Sequence, residues 1–234
     1  MNICPMKTAV IIVAAGKGRR FGSIKPKQYL YLKEMPVLSH SIKTFALNKS
    51  IQQIQIVINK DHEEYYKDSL THLEGSEGSV KILEPCYGGE ERSLSVKLGL
   101  IALSNQKYIP KKVLIHDAAR PLVTNKIIES VLTELNFYKA VFPSLPMVDT
   151  VWKFNNNKYK LIKERDLLIR AQTPQGFNYS SILKAHLNND EFLAFDDISL
   201  VNKLGIKIQQ IPGCETNLKI TTLDDLERAE RLIK

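Results

Sequence analysis

At 234 residues the chain has room for one large domain or two small ones, and its 44% hydrophobic and 25% charged composition is that of a folded globular protein. No apolar stretch nears the roughly 20 residues that span a bilayer, and the start Met1–Lys7 lacks the apolar core of a secretory signal, so membrane-embedded and exported classes are set aside. The net charge of +8 is spread along the chain without long runs of like charge, which favours small phosphates over nucleic acid as partners.

In chain order, short β-branched runs alternate with longer amphipathic segments. Strands are predicted at Ala9–Val13, Ile54–Ile58, Val80–Leu83, Val113–His116, Ala140–Pro143 and Lys207–Ile211. Helical spacing marks Val37–Leu47, Ser93–Leu103, Asn125–Leu135 and Leu223–Ile233. The last helix places Leu223, Leu226, Ala229 and Ile233 on one side, behind a Thr222/Asp225 cap. This βαβα rhythm predicts a mainly parallel sheet with helices on both faces, whose ligands bind outside the carboxyl ends of the strands. Between Leu145 and Gln172 the rhythm breaks into short extended pieces: Thr150–Phe154, Tyr159–Ile162 and Leu167–Ala171. Asn155-Asn156-Asn157 is a turn signal, so this stretch predicts a β-hairpin arm projecting from the sheet. A hairpin is marginal alone, and a second subunit is its natural partner. With neither repeats nor a linker, residues 1–234 are expected to form a single domain. Cys4, Cys86 and Cys214 are too scattered for a disulfide framework or a zinc site, which points to reduced thiols in a cytoplasmic protein.

The chemistry gathers in the loops. After the first strand, Ala14-Ala15-Gly16-Lys17-Gly18-Arg19-Arg20 leads to Pro26-Lys27-Gln28. Small residues let backbone N–H groups approach a phosphate, and the surrounding cations add charge, so this is read as a nucleoside triphosphate site. The run ends in Phe21 where a dinucleotide fingerprint needs Gly, and it has no Walker ending. Gly88-Gly89, with Arg92 and Ser95 following, could lie against a base, although a tight turn and a helix cap would use the same residues. Asp117, in His116-Asp117-Ala118-Ala119-Arg120-Pro121, ends a strand where a carboxylate can hold Mg²⁺ together with phosphate oxygens and water. Arg120 could bind a phosphate or a hydroxyl-rich substrate, and His116 reads as structural. On the arm, Thr150 and Arg165 could hold a phosphate monoester. Asp196-Asp197 could assist a metal or cap a helix, and Lys219 could return to the triphosphate.

Together, Ala14-Ala15-Gly16, Gly18-Arg19-Arg20, Pro26-Lys27-Gln28-Tyr29, Gly88-Gly89, Arg92, Asp117-Ala118-Ala119-Arg120-Pro121, Asp149-Thr150, Gln172-Thr173-Pro174-Gln175, Asp196-Asp197 and Asn217-Leu218-Lys219-Ile220-Thr221 resemble the 2-C-methyl-D-erythritol 4-phosphate cytidylyltransferases over nearly the whole chain. The resemblance implies a Rossmann-like nucleotidyltransferase fold, a homodimer joined through the arm, CTP and Mg²⁺ as requirements, and pyrophosphate as a product. It implies that Arg20, Lys27 and Lys219 surround the triphosphate and act in catalysis. Ala14, Ala15, Gly16, Gly18, Gly88, Gly89 and Ser95 would hold the nucleotide. Asp117 and Arg120 would contact the sugar phosphate, with Thr150 and Arg165 reaching its phosphate from the other subunit; Arg170 is an alternative to Arg165. Ribitol 5-phosphate cytidylyltransferases look alike through the Pro-Lys-Gln and Thr-Pro-Gln motifs, but Ala119 and the first loop favour methylerythritol phosphate. A non-catalytic nucleotide- or RNA-binding protein would use the same basic loop. Some family members carry a fused cyclase, and a chain ending at Lys234 is expected to lack it.

Overall fold

The computed structural model describes residues 7–17, 21, 25–73, 75, 78–189 and 196–233. In chain order the elements are β1 (Thr8–Ala14), β2 (Tyr31–Leu32), β3 (Met35–Pro36), α1 (Val37–Leu47), β4 (Gln53–Ile58), α2 (Glu63–Thr71), β5 (Cys86–Tyr87), α3 (Arg92–Ser104) and β6 (Lys112–Asp117). There follow α4 (Asn125–Glu134), β7 (Ala140–Pro146), β8 (Trp152–Asn155), β9 (Lys158–Leu161), β10 (Ile169–Ala171), β11 (Gln175–Asn178), α5 (Tyr179–Leu187), α6 (Asp197–Lys203), β12 (Ile208–Pro212) and α7 (Leu223–Leu232).

The central sheet runs β5-β4-β1-β6-β11-β7, with β12 on β7. β1 is parallel to both β4 and β6, so the order of strands reverses at β1. β11 is antiparallel to β6 and β7, and β10 is antiparallel to β7; the other pairings are parallel, which makes the sheet mixed and mostly parallel. β1 is apolar at successive positions because both its faces are covered. Val10 and Ile12 pack on one face with residues of α1, α2 and α4; Ala9 and Ile11 pack on the other with α3, α5 and α6. A smaller cluster joins Phe21, Leu32 and Val37 to Ile220 and Ala229 of the chain's end.

Several expectations need correction. Val80–Leu83 is not a strand: Ser79–Lys81 forms a short 3-10 turn, Ile82 makes a single bridge to Ile54, and the edge strand is β5. The apolar run carried no signal for where pairing with β4 would start. The arm keeps only β8 and β9, paired with each other; β10, expected in the arm, instead pairs with β7. Asn156 and Asn157 both have positive φ, the geometry of a two-residue hairpin turn. On α7 the Thr222/Asp225 capping box forms, but Leu223 is 60% exposed rather than packed with Leu226 and Ala229. The β1, β4, β6, β7 and β12 segments and helices α1, α3, α4 and α7 otherwise lie where the periodicity puts them.

Candidate active site

The site lies at the carboxyl ends of β1 and β6, where the strand order reverses. Parallel register sets Val13 level with Asp117, and Ala14 level with Ile58, so the loops that follow these strands meet at one edge. They enclose a cavity of about 340 Å³ lined by Ala14, Gly16, Lys27, Gln28, Gly89, Arg92, Ser95, Asp117, Ala119 and Lys219, among others. Most of the predicted loops therefore converge on one opening.

Each wall has an identifiable cause. The side-chain amide of Gln28 donates to the carbonyls of Ala14 (2.7 Å) and Gly16 (2.8 Å), which pins the first loop to the Pro26-Lys27-Gln28 segment. Lys17 is turned to Glu90 at 3.0 Å, which joins the first loop to the Gly88-Gly89 loop. Gly88 is required by close approach: a Cβ there would stand 2.5 Å from the Ala15 Cβ and 2.6 Å from Ser95 Oγ. The Gly89 N–H donates to Ser95 Oγ at 3.2 Å, so Ser95 holds the loop and also lines the cavity.

Asp117 is the electrostatic hub. Its Oδ1 accepts from Arg92 Nε (2.9 Å) and its Oδ2 from Lys219 Nζ (2.7 Å). Burial works to raise this carboxyl, but Arg92 first and then Lys219 hold it well below the usual carboxylate range. Arg92 also donates to Asp197 Oδ2 at 2.8 Å. Burial works against its charge, yet Asp197 and then Asp117 raise it above its ordinary value. Asp197 itself is held below its ordinary value by Arg92 and by a hydrogen bond from His186, against the effect of burial. Asp196 caps α6 by accepting from the Ser199 N–H, one of the two roles the sequence offers for the pair.

His116 takes a structural place, with both ring nitrogens in hydrogen bonds. The Asp117 N–H donates to Thr173 Oγ1 (3.2 Å), whose hydroxyl can donate to His116 Nδ1 (3.1 Å); His116 Nε2–H then donates to the Arg120 carbonyl (3.1 Å). This chain assigns the neutral tautomer with its proton on Nε2. Burial first of all pushes the imidazole down to about 3, against the pull of Asp117. Its proton affinity falls on folding, so the unfolded chain binds protons below about pH 6.5 that the native state refuses. Stability is thus full above that value and falls as the pH drops. We expect the metal-free protein to lose about 2 kcal/mol between pH 7 and pH 5, before the carboxylates titrate. Urea unfolding at both values checks this, and His116→Gln should flatten the slope.

Some predicted residues lie elsewhere. The Arg120 guanidinium donates to the carbonyls of Asn217 (2.7 Å) and Ala171 (3.5 Å) and does not line the cavity. Thr150 and Arg165 are also outside the cavity lining; Arg165 donates to the Val148 carbonyl (3.2 Å) and lies 3.6 Å from Asp166. Arg170 pairs with Glu215. Gly18 and Arg20 lie outside the described residues. Cys86 is a half-buried thiol pushed up to about 11 by burial, which suits a bystander. Gln28 and Arg92 carry no structural role in the sequence reading, and Asp197 only a metal-assisting or capping one; their spacing gives no sign of the contacts they make. A second cavity, about 550 Å³ beside α2 and β5, holds none of the predicted site residues.

Among the described residues, no group of three or more His, Cys, Asp or Glu could hold a metal ion. Asp117 alone still fits Mg²⁺, which takes one or two carboxylates and completes its shell with substrate phosphates and water. Arg92 and Lys219 use about half of the four or so lone-pair sites of that carboxylate. No helix among the described residues is long and apolar enough to cross a membrane.

A doubly wound sheet thus brings small loop residues, a buried carboxylate and converging cations to one cavity, an arrangement suited to a phosphate-bearing ligand. The family described as IspD, 2-C-methyl-D-erythritol 4-phosphate cytidylyltransferase, matches residues 8–234. The chain belongs to that family. It is 40% identical over 232 residues to 2-C-methyl-D-erythritol 4-phosphate cytidylyltransferase of Alkaliphilus oremlandii, covering 97% of this chain and 95% of that one. It is 39% identical over 229 residues to the bifunctional enzyme IspD/IspF of Paramagnetospirillum magneticum, covering 97% of this chain but only 56% of that enzyme. The crystal structure of 2-C-methyl-D-erythritol 4-phosphate cytidylyltransferase (IspD) from Francisella tularensis matches with a TM-score of 0.79 at 29% identity, over 97% of this chain and 100% of that one.

Proposed function

We propose that this protein transfers the cytidylyl group of CTP to 2-C-methyl-D-erythritol 4-phosphate. A phosphate oxygen of the sugar phosphate bonds to the α-phosphorus, the bond from that phosphorus to the β-phosphate oxygen breaks, and pyrophosphate leaves. The attacking group is already anionic, so the chain's task is electrostatic: two anions must meet, and charge grows on the leaving pyrophosphate. The observation that carries the reading is the Arg92–Asp117–Lys219 cluster opening into the same cavity as Lys27 and the loop from Ala14 to Gly16. In this reading Arg20, Lys27 and Lys219 neutralise the triphosphate, Ala14, Ala15, Gly88 and Ser95 form the base and ribose side, and Gly16, Gly18 and Gly89 complete the nucleotide site. Asp117 would hold Mg²⁺, which when bound supplies further positive charge to the phosphates. Asp117 would meet the sugar phosphate, and Arg120, outside the cavity lining, would reach it only by leaving the carbonyls of Asn217 and Ala171. The test is pyrophosphate release from CTP with 2-C-methyl-D-erythritol 4-phosphate and ribitol 5-phosphate side by side. Preference for ribitol 5-phosphate, or no release with either, overturns the proposal.

The proposal includes a homodimer that completes each site through the arm. Support comes from exposure: Trp152, Phe154 and Tyr159 are 56%, 59% and 72% exposed on a two-stranded hairpin. Such a ribbon is marginal in water unless something covers it. Thr150 and Arg165 would then serve the partner's sugar phosphate. Random mixing of Arg165→Ala with Lys27→Ala subunits makes about half the dimers mixed, each with one intact site of two, so roughly one quarter of wild-type activity should return. Absence of rescue, with sedimentation at the monomer mass, rejects the shared site.

A further inference from the structure

We infer that His186 is a positioning residue for the transfer reaction: through Asp197 it fixes the guanidinium of Arg92 at the edge of the nucleotide cavity. The inference rests on the cytidylyl-transfer reading of that cavity. His186 lies in the last turn of α5 and Asp197 at the start of α6; each is 1% exposed, and neither lines the cavity. His186 Nε2 sits 3.0 Å from Asp197 Oδ1, and Arg92 occupies Oδ2 at 2.8 Å. The Asp197 N–H donates to Gln175 Oε1 at 3.2 Å, which fixes the backbone that bears the carboxylate. Arg92 thus hangs between two carboxylates, Nε on Asp117 and a terminal nitrogen on Asp197. An arginine has several rotatable bonds, and a carboxylate held on one oxygen only could swing. Anchoring both Asp197 oxygens leaves Oδ2 one direction to present. Since Arg92 also sets one oxygen of Asp117, the order passes to the carboxylate that faces the substrates. Errors of about 1 Å in such groups cost on the order of 100-fold in rate. The bland alternative is that His186 merely satisfies a buried acid.

The two readings separate in His186→Leu, which keeps the bulk and removes the donor, and in His186→Gln, whose amide can still donate to Asp197. We expect His186→Leu to lower kcat about tenfold with little change in KM for CTP, and His186→Gln to recover most of the loss. Adding His186→Leu to Asp197→Asn should cost nothing more, because the two act in series. A purely structural role would instead lower the unfolding midpoint while leaving kcat per folded enzyme unchanged, and that result overturns the inference. The Arg92 Nε–H resonance of ¹⁵N-labelled protein supplies a readout without turnover: it should move in His186→Leu and return in His186→Gln. If wild-type protein releases no pyrophosphate, the transfer reading falls, and the resonance still decides whether His186 sets Arg92. An unmoved resonance rejects the inference even in an active enzyme.

Discussion

Replacing Lys27 by alanine is expected to lower turnover by about 10²–10³-fold and to leave the fold intact. The size follows from the loss of one fixed group opposite developing charge, about 3–4 kcal/mol of transition-state stabilisation in a partly water-excluded site. The fold should survive because the core contribution of this turn comes from its neighbours: Gln28 and Tyr29 are buried, whereas Lys27 faces the cavity. Gln28 still bridges the carbonyls of Ala14 and Gly16 in the variant, so the loop keeps its shape. Pyrophosphate release gives kcat, and circular dichroism with thermal unfolding gives the control. Near-normal turnover in a folded variant would remove Lys27 from the mechanism.

Asp117→Asn should harm both stability and rate. Asparagine keeps the shape but removes the charge that Arg92 and Lys219 share. Two cations would then face a neutral amide, and Arg92 would keep only Asp197. Breaking a buried pair from one side commonly costs 3–5 kcal/mol; because Lys219 is about a third exposed, we expect about 3 kcal/mol. Turnover should fall with it, since the proposed ligand for Mg²⁺ and the anchor for two cations vanish together. Urea unfolding at constant m-value measures the first effect and single-turnover kinetics the second. A variant with wild-type stability would mean that the cluster is solvated more fully than its geometry implies. The sign with pH also follows: the depressed Asp117 carboxyl keeps its charge well into the acid range, so its contribution is present above the unfolded value near 3.8 and is lost as pH falls toward the native one.

Much of this was legible in the order of residues. Ala9–Val13 is a short, β-branched run apolar at successive positions, as a strand buried on both faces requires, and β1 is that strand. Asn156-Asn157 tolerates positive φ, and the hairpin turns there. The Thr222/Asp225 pair sets a helix start by purely local hydrogen bonds. Loops of small residues at strand ends announced where a phosphate could sit, and topology brought them together at the reversal of strand order. By contrast, Ile169–Ala171 has the same extended pattern whether it pairs within the arm or with β7, and nothing local chooses between them. The edge strand at Cys86–Tyr87 is too short for periodicity to register.

The sequence by itself determined the periodicities, the caps, the turns and the kinds of group available to the site. Only the tertiary structure decided who touches whom: Asp117 holds Lys219 across 102 residues, Arg92 reaches Asp197 across 105, and His186 stands behind that acid. The physical reason is range. Backbone preferences act over a few residues, whereas an ion pair depends on strand order and register, which are set by how the whole core packs.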